Sequence, residues 1–155
     1  MGEDSSIASS FADQATREFK KKIRWKITLL YQIVRSGMNL LYMDCDVVLL
    51  KNPFTYLYSV KGYDMMAQRD GRTICTGFMY FVSSLSTVTL LKQANMYVQH
   101  LTMDDQDAVN LAVKKTRMPF LFLPSDAFPS GFRFFARHQL AWDLKSRRSL
   151  SCREP

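Results

Sequence analysis

The sequence is short of long apolar runs and cysteine, and it has no leader-like beginning. No uninterrupted apolar run approaches the roughly 18 residues needed to span a bilayer, so we expect no transmembrane segment within the chain. The opening residues 1–6 lack the basic-then-apolar order of a secretory signal, so we also expect no targeting segment. Cys45, Cys75 and Cys152 are too few and too scattered for a disulfide framework or a zinc site.

The composition is that of a globular protein with an excess of basic residues. The 155 residues are 47% hydrophobic and 23% charged, which excludes a disordered or fibrous chain and allows a sizeable core. The 21 Lys and Arg outnumber the 14 Asp and Glu, and the net charge of +7 favours an anionic partner without naming it. The basic run over residues 17–26 lacks an aromatic stacking face, so we expect no nucleic-acid partner.

Helical and strand patterns alternate along the chain. Residues 1–16 are polar without a strong period and are expected to form a loose lead, whereas residues 17–36 have the apolar spacing of an amphipathic helix. Gly37 stands where a helix cap is expected. Further helices are predicted over residues 84–98 and 104–115, and strands over residues 40–43, 47–50, 63–67, 78–82 and 119–123. This order predicts an α/β domain with a mainly parallel sheet flanked by helices.

Two carboxylates, Asp44 and Asp46, interrupt an otherwise apolar run. Like charges in apolar surroundings are unfavourable unless a cation, a proton or hydrogen bonds offset them. At the end of a strand both side chains can turn toward one point beyond the sheet edge, where open α/β sheets bind their ligands. Carboxylate oxygens suit Mg²⁺ or Mn²⁺, which in turn binds phosphate oxygens. A pair of solvated turn aspartates is the structural alternative.

Lys26 and the pair Thr76-Gly77 are further unusual positions. Lys26 falls within the apolar arc of the first predicted helix, so it either extends its ammonium to the rim of the core or points at an anion. Gly77 follows Thr76 and leads into an aromatic strand. A glycine there either permits close approach of the backbone to a ligand or marks a bulge or tight turn.

The predicted helix over residues 104–115 begins with acidic and amide side chains. Thr102 and Asp105 have a loose capping-box spacing, which by itself explains Asp105 structurally. Asp105 nevertheless shares a helix face with Val109, which would direct the carboxylate inward. Gln106 beside it offers both a donor and an acceptor, so the two side chains suit recognition of sugar hydroxyls.

Taken in order, these residues resemble the nucleotide-diphospho-sugar transferase family that includes plant cell-wall xylosyl- and arabinosyltransferases. The resemblance runs over residues 17–132, and the order and spacing of the motifs give it its specificity. The motifs are Trp25-Lys26-Ile27, Gly37, Tyr42-Met43-Asp44-Cys45-Asp46, Thr76-Gly77-Phe78-Met79-Tyr80, Asp104-Asp105-Gln106 with Asn110, and Phe128-Pro129-Ser130-Gly131. Cys75 departs from this pattern, because relatives commonly have asparagine before the Thr-Gly pair.

The resemblance implies a glycosyltransferase-A-like fold and a nucleotide-diphospho-sugar donor, with a UDP-sugar favoured. It also implies a divalent cation, usually Mn²⁺ and otherwise Mg²⁺. In such a site Asp44 and Asp46 would hold the metal and the donor's diphosphate or ribose. Lys26 would contact the donor phosphate or sugar, and Thr76 and Gly77 would line the donor pocket.

The same resemblance implies the reaction and its setting. Asp105 and Gln106 would be the catalytic residues near the reacting sugar, which is transferred with retention to a hydroxyl of a glycan or glycoprotein. Family members begin earlier, so the domain is expected over residues 17–132, incomplete at its N-terminal end, with a basic tail over residues 133–155. A Golgi-lumen location is expected, with any membrane anchor outside this chain.

Two alternatives stay open. A catalytically inactive glycosyltransferase-like fragment would bind acidic polysaccharide through its basic surface. A haloacid-dehalogenase-type phosphohydrolase would use Asp44 as the nucleophile and Asp46 as the general acid, because that family also places Asp-x-Asp after an apolar strand. The phosphohydrolase leaves the long basic helix and the later Thr76-Gly77 and Asp105-Gln106 pairs unexplained.

Overall fold

The computed structural model describes residues 3–101, 103–131 and 134, and in the first helix it describes side chains at residue 18 and from residue 20 onward. The elements in this part of the chain are α1 (Glu3–Arg35), β1 (Leu40–Met43), α2 (Phe54–Ser59), β2 (Met65–Asp70), β3 (Thr73–Phe81), α3 (Leu85–His100), α4 (Asp105–Thr116) and β4 (Leu121–Phe122). No helix among the described residues is both long and apolar enough to cross a bilayer.

The first helix packs one apolar face on the rest of the domain. Its buried side chains on this face are Ile23, Ile27, Leu30 and Val34. The helix begins at Glu3, so the expectation of a loose lead is wrong for residues 3–16. A helix is recognised in sequence by apolar residues that recur on its buried face. Residues 3–16 are mostly polar and extend the packed part of α1, so they show no such apolar period. Gly37 follows the helix with φ +92°, as expected of a glycine cap.

The four strands form one sheet in the order β1-β3-β2-β4. Strand β3 pairs antiparallel with both β1 and β2, and only β2 and β4 are parallel. The α/β class with flanking helices is confirmed, but the expected mainly parallel sheet is wrong. The reason is a hairpin between β2 and β3, whose turn contains Gly71 with φ +56°. Because both strands are polar where they enter this turn, the apolar pattern does not reveal the hairpin.

Successive side chains of the sheet point into two buried clusters on opposite faces. On the larger side, Met79 and Phe81 of β3 belong to one buried cluster with side chains of α1, α3 and α4. The smaller cluster consists of Leu57, Met66, Phe78, Tyr80 and Leu123. Buried side chains therefore cover β3 on both faces of the sheet. Thr76 and Gly77 lie within this strand and are held in place with it.

Both helices predicted after β3 are present, and side chains determine where they begin. Ser84 caps α3 through a reciprocal capping box with Thr87. The Asp104 carboxylate caps α4 by accepting the Asp107 N–H at 2.7 Å, while Thr102 lies outside the described residues. Because Asp104 supplies the cap, the carboxylate of Asp105 is available for a tertiary contact.

The strand predicted over residues 47–50 is wrong. Strand β1 ends at Met43, and the chain turns at once, with the Val47 N–H donating to the Asp44 carbonyl at 3.2 Å. Val48 and Leu50 are 78% and 81% exposed, so an apolar run here does not mark a buried element. The short helix α2 is absent from the sequence prediction, because its 6 residues are too few to show a helical period.

Candidate functional site

Lys26 lies at the centre of a polar cluster beside the end of β1. Its Nζ is 2.6 Å from Asp105 Oδ2 and 3.2 Å from Asp44 Oδ1, and its side chain is only 13% exposed. The ammonium also lies 4.6 Å from the centre of the Tyr42 ring, within cation–π range. Of the two alternatives for Lys26, the structure shows the one in which it points at anions, and these are two carboxylates of the protein itself.

Asp44 follows β1 directly, and main-chain pairing sets its position. Its N–H donates to the Gly77 carbonyl at 2.8 Å, which extends the pairing of β1 with β3 by one residue. Its Oδ1 accepts the Tyr42 hydroxyl at 2.6 Å in addition to the Lys26 ammonium. A Cβ added at Gly77 would lie 3.1 Å from Asp44 Oδ2. Gly77 therefore allows close approach between a strand backbone and a carboxylate.

Asp105 reaches the cluster from the first turn of α4. Its Oδ2 accepts the hydroxyl of the buried Thr76 at 2.7 Å, and its side chain is 16% exposed. Burial by itself would raise the pKa of Asp105, but hydrogen bonds from Lys26 and Thr76 and the charge of Lys26 outweigh it. The pKa of Asp105 thus lies below the usual aspartate value, and the group is ionised at neutral pH.

Tyr42 is a member of the cluster that the sequence analysis does not single out. Burial, the hydrogen bond to Asp44 and the negative charges of Asp44 and Asp105 raise the pKa of Tyr42 above its ordinary value. The phenol therefore stays protonated and donates to Asp44 at neutral pH. Strand alternation is the signal that could have found it, since residues 42 and 44 lie on the same face of an extended chain.

Asp46 and Gln106 do not join the Lys26 cluster. Asp46 is exposed and makes no hydrogen bond or ion pair with any residue that the structure describes. The Gln106 amide donates to Asp70 Oδ2 at 3.2 Å, which links α4 to the β2–β3 hairpin. The structure thus brings together Lys26, Asp44, Thr76, Gly77 and Asp105 among the predicted site residues. The roles assigned to all seven stay predictions.

Asp44 and Asp46 are the two carboxylates that the sequence predicts as metal ligands beside this edge of the sheet. Among residues 3–101, 103–131 and 134, no three His, Cys, Asp or Glu side chains come together as a metal site. Lys26 and Tyr42 occupy Oδ1 of Asp44, whereas Asp46 faces solvent. Mg²⁺ is commonly bound by one or two protein carboxylates together with substrate phosphates and water, so a metal at Asp44 and Asp46 would need the phosphates of a donor as further ligands.

The structure is thus an α/β domain with a lysine bound between two carboxylates beside the edge of the sheet. Comparison with known proteins identifies its family. The nucleotide-diphospho-sugar transferase family matches residues 1–145. The chain belongs to this family. No solved structure is significantly similar to it.

Three curated relatives illustrate the similarity. The chain is 28% identical to the UDP-D-xylose:L-fucose alpha-1,3-D-xylosyltransferase 1 of Arabidopsis thaliana, with 93% of the chain and 47% of that protein aligned. It is 33% identical to the UDP-D-xylose:L-fucose alpha-1,3-D-xylosyltransferase 3 of the same plant, with 68% of the chain and 35% of that protein aligned. It is 22% identical to the UDP-galactose:fucoside alpha-3-galactosyltransferase of Dictyostelium discoideum, with 71% of the chain and 22% of that protein aligned. The chain therefore spans about half the length, or less, of these relatives.

Proposed function

We propose that the chain carries the donor site of a retaining glycosyltransferase that moves a sugar from a UDP-sugar to a hydroxyl of a glycan or glycoprotein. The observation that carries the proposal is the Lys26 ammonium held between Asp44 and Asp105, in a chain of the nucleotide-diphospho-sugar transferase family. Its relatives are named for UDP-xylose and UDP-galactose donors and for fucose or fucoside acceptors. Their names also specify alpha linkages, the product configuration that we propose for this chain.

The proposed donor site combines cationic and carboxylate groups. Asp44 and Asp46 would hold Mn²⁺ or Mg²⁺. When bound, the metal would neutralise negative charge on the UDP leaving group. A lysine ammonium has three donors, and Asp44 and Asp105 take two of those of Lys26, so one remains for a donor phosphate. Thr76 and Gly77 would line the pocket, with Gly77 leaving space beside the Asp44 carboxylate.

Asp105 is proposed to stabilise the reacting sugar. Its carboxylate is held by Lys26 and Thr76 in a largely water-excluded position, so it needs little reorganisation when positive charge develops nearby. Gln106 would contact sugar hydroxyls from the same turn of α4. We further propose that the protein acts in the Golgi lumen, in keeping with the resemblance on which this function rests.

Calorimetry of UDP binding, with and without Mn²⁺, tests the donor site. We expect the wild-type chain to bind UDP at least about tenfold more tightly with Mn²⁺. The double variant Asp44→Ala/Asp46→Ala should lose that enhancement, because both proposed metal ligands are gone. Asp107→Asn is a matched control that removes an exposed carboxylate of α4 outside the cluster, and it should retain the enhancement.

Equal UDP binding in wild type and double variant, with and without metal, would contradict the metal–diphosphate assignment. If acidic polysaccharide binding survived the double substitution while UDP did not bind to either form, the inactive binding fragment would be favoured. A phosphorylated Asp44 trapped with a phosphate ester would instead support the phosphohydrolase, which family membership already disfavours.

Gly77→Ala is expected to weaken donor binding without destabilising the strand. Its Cβ would lie 3.1 Å from Asp44 Oδ2 and 3.5 Å from Cys75 Sγ, so the Asp44 carboxylate must shift by a few tenths of an ångström. The backbone at Gly77 is not in the positive-φ region, so alanine fits β3 without strain. UDP–Mn²⁺ affinity should fall about tenfold while Tm changes by less than about 3 °C.

Gly131→Ala provides the control for this substitution. A Cβ at Gly131 would have no neighbour within 4 Å among the described residues, so the variant should bind UDP–Mn²⁺ as the wild type does. Unchanged affinity in Gly77→Ala would show that the position of Asp44 Oδ2 does not matter for the donor.

A further inference from the structure

A shallow groove of about 260 Å³ lies between α1 and α3. It is lined by Lys21, Arg24, Trp25, Thr28 and Gln99. On a helix of 3.6 residues per turn, the α1 members of this set are centred on the side opposite Lys26. The groove is therefore separate from the Lys26 cluster. Its volume is slightly below the ~300–1,000 Å³ of common ligand pockets, which suits one ring of a longer ligand.

Trp25 gives this groove an apolar surface. The side chain is 68% exposed, although an indole is among the side chains most stabilised by burial. Within the described part of the chain its ring has no aromatic or cation–π partner. The basic run over residues 17–26 therefore presents one exposed indole, although no aromatic stacking face is expected there from the sequence. The C–H face of a sugar ring can stack on such an indole.

The charges of Lys21 and Arg24 flank the indole. The described residues contain two ion pairs, both formed by Lys26, so neither of these cations is neutralised by a described carboxylate. A guanidinium presents two parallel N–H groups to a carboxylate, which makes Arg24 selective for planar anions.

Polar groups between the two helices complete the groove. The Thr28 hydroxyl lies 2.8 Å from the Arg24 carbonyl and 2.9 Å from Asn95 Oδ1, which share its single proton, and it accepts the Gln99 amide at 3.3 Å. These bonds hold the Gln99 side chain beside the groove, where its amide can meet a hydroxyl group. The lining thus combines one stacking surface, two cations that pair with no described carboxylate, and a positioned amide.

We propose that this groove binds a uronate-containing oligosaccharide, at a site separate from the nucleotide-sugar site and independent of it. One sugar ring stacks on Trp25, its carboxylate pairs with Arg24 and a neighbouring carboxylate pairs with Lys21. Gln99 meets a ring hydroxyl. A single indole fits one sugar ring, whereas a nucleic-acid strand would call for successive aromatic platforms.

The test measures binding of an oligogalacturonate to the full chain by calorimetry, with its fully methyl-esterified form as the uncharged counterpart. The acidic form should bind at least about tenfold more tightly than the ester. Trp25→Ala and Arg24→Ala should each weaken binding at least about fivefold, and Trp25→Phe should retain most of it because the ring is kept. Lys22→Ala is the matched control, since Lys22 is exposed on α1 outside the groove, and should change affinity less than about twofold.

Each opposite outcome would overturn the proposal. Equal binding of acid and ester would exclude carboxylate recognition, and an equal loss in Lys22→Ala and Arg24→Ala would reduce the effect to general attraction by a basic helix. Undiminished binding by Trp25→Ala, with Tm equal to that of the wild type, would exclude stacking. A single-stranded oligonucleotide that bound more tightly and depended on Trp25 would assign the groove to nucleic acid. UDP affinity should be unchanged in Trp25→Ala, so this proposal and the donor site can fail separately.

Discussion

Replacing Lys26 with methionine is expected to destabilise the protein by about 3 kcal/mol at pH 7, which corresponds to a fall in Tm of roughly 6–12 °C. Methionine keeps most of the side-chain volume but leaves the carboxylates of Asp105 and Asp44 without their common cation. Asp105 is 16% exposed, so solvent compensates little for the loss. Removing one partner of a buried ion pair leaves the other charge buried without compensation. This is much more destabilising than replacing both partners with apolar residues.

The pH dependence of this effect identifies its cause. The pKa of Asp105 is lower in the folded protein than in the unfolded chain, so its charge stabilises the fold at pH values above about 4. That contribution is lost as pH falls through the lower, folded-state pKa. Without Lys26, burial should instead raise the pKa of Asp105, and ionisation should then oppose folding. The Tm difference between wild type and Lys26→Met should therefore be largest at neutral pH. It should begin to shrink as pH falls through the raised pKa of Asp105 in the variant, and it should shrink further below about pH 4, where the wild type loses the contribution of the Asp105 charge.

Thermal unfolding followed by circular dichroism from pH 7 to pH 3 measures this difference. Lys22→Met, which removes the same charge from an exposed position of the same helix, should alter Tm by less than about 3 °C at every pH. A Tm difference for Lys26→Met that was the same at pH 7 and pH 3 would show that packing of the lysine stem matters and that its ion pairs do not.

Asp105→Asn is expected to lower the rate of sugar transfer about 10²- to 10³-fold while leaving UDP affinity within about threefold. The expectation rests on the proposed function, in which Asp44 and Asp46 serve donor binding and Asp105 serves the reacting sugar. Asparagine keeps an acceptor for the Thr76 hydroxyl but removes the negative charge that Lys26 neutralises. The separation of rate from affinity is what distinguishes a role in the reaction from a role in binding.

Transfer from UDP-xylose or UDP-galactose to an L-fucoside, together with UDP calorimetry, measures the two quantities. Asp107→Asn is a close control, because Asp107 lies in the same first turn of α4 as Asp105. The substitution therefore removes the same charge from the same end of the helix. It should leave both rate and affinity within about twofold. Parallel loss of rate and UDP affinity in Asp105→Asn would place Asp105 in donor binding instead.

Lys26 connects these two predictions, because it pairs with the two carboxylates that we propose to serve the donor and the reacting sugar, and these come from different elements. Asp44 follows β1, Asp105 begins α4, and Lys26 lies on α1. Any change in the packing of α1 against the sheet therefore alters both carboxylates at once. We expect this coupling to make Lys26 variants lose donor affinity and transfer rate together, whereas Asp105→Asn should keep donor affinity.

Much of this site could be singled out from local sequence. Asp44 and Asp46 stand out because they interrupt an apolar run, and Lys26 because it occupies an apolar arc of a helix. Helix α3 and strand β1 were predictable because their apolar patterns and neighbouring cap or turn residues agree. The apolar run at 47–50 shows the limit of such reasoning, since its side chains are largely exposed.

The sequence by itself determined the α/β class, the buried face of α1 and the choice of Lys26, Asp44 and Asp105 as candidate site residues, because each depends on local spacing and residue chemistry. Only the tertiary structure decided the antiparallel direction of β3, the contact of Lys26 with both Asp44 and Asp105, and the inclusion of Tyr42. Those features depend on a hairpin turn, on strand register and on the docking of α1 and α4 against the sheet. Such contacts join residues far apart in the chain, and no local pattern records which of many oppositely charged pairs the packing will bring within hydrogen-bond distance.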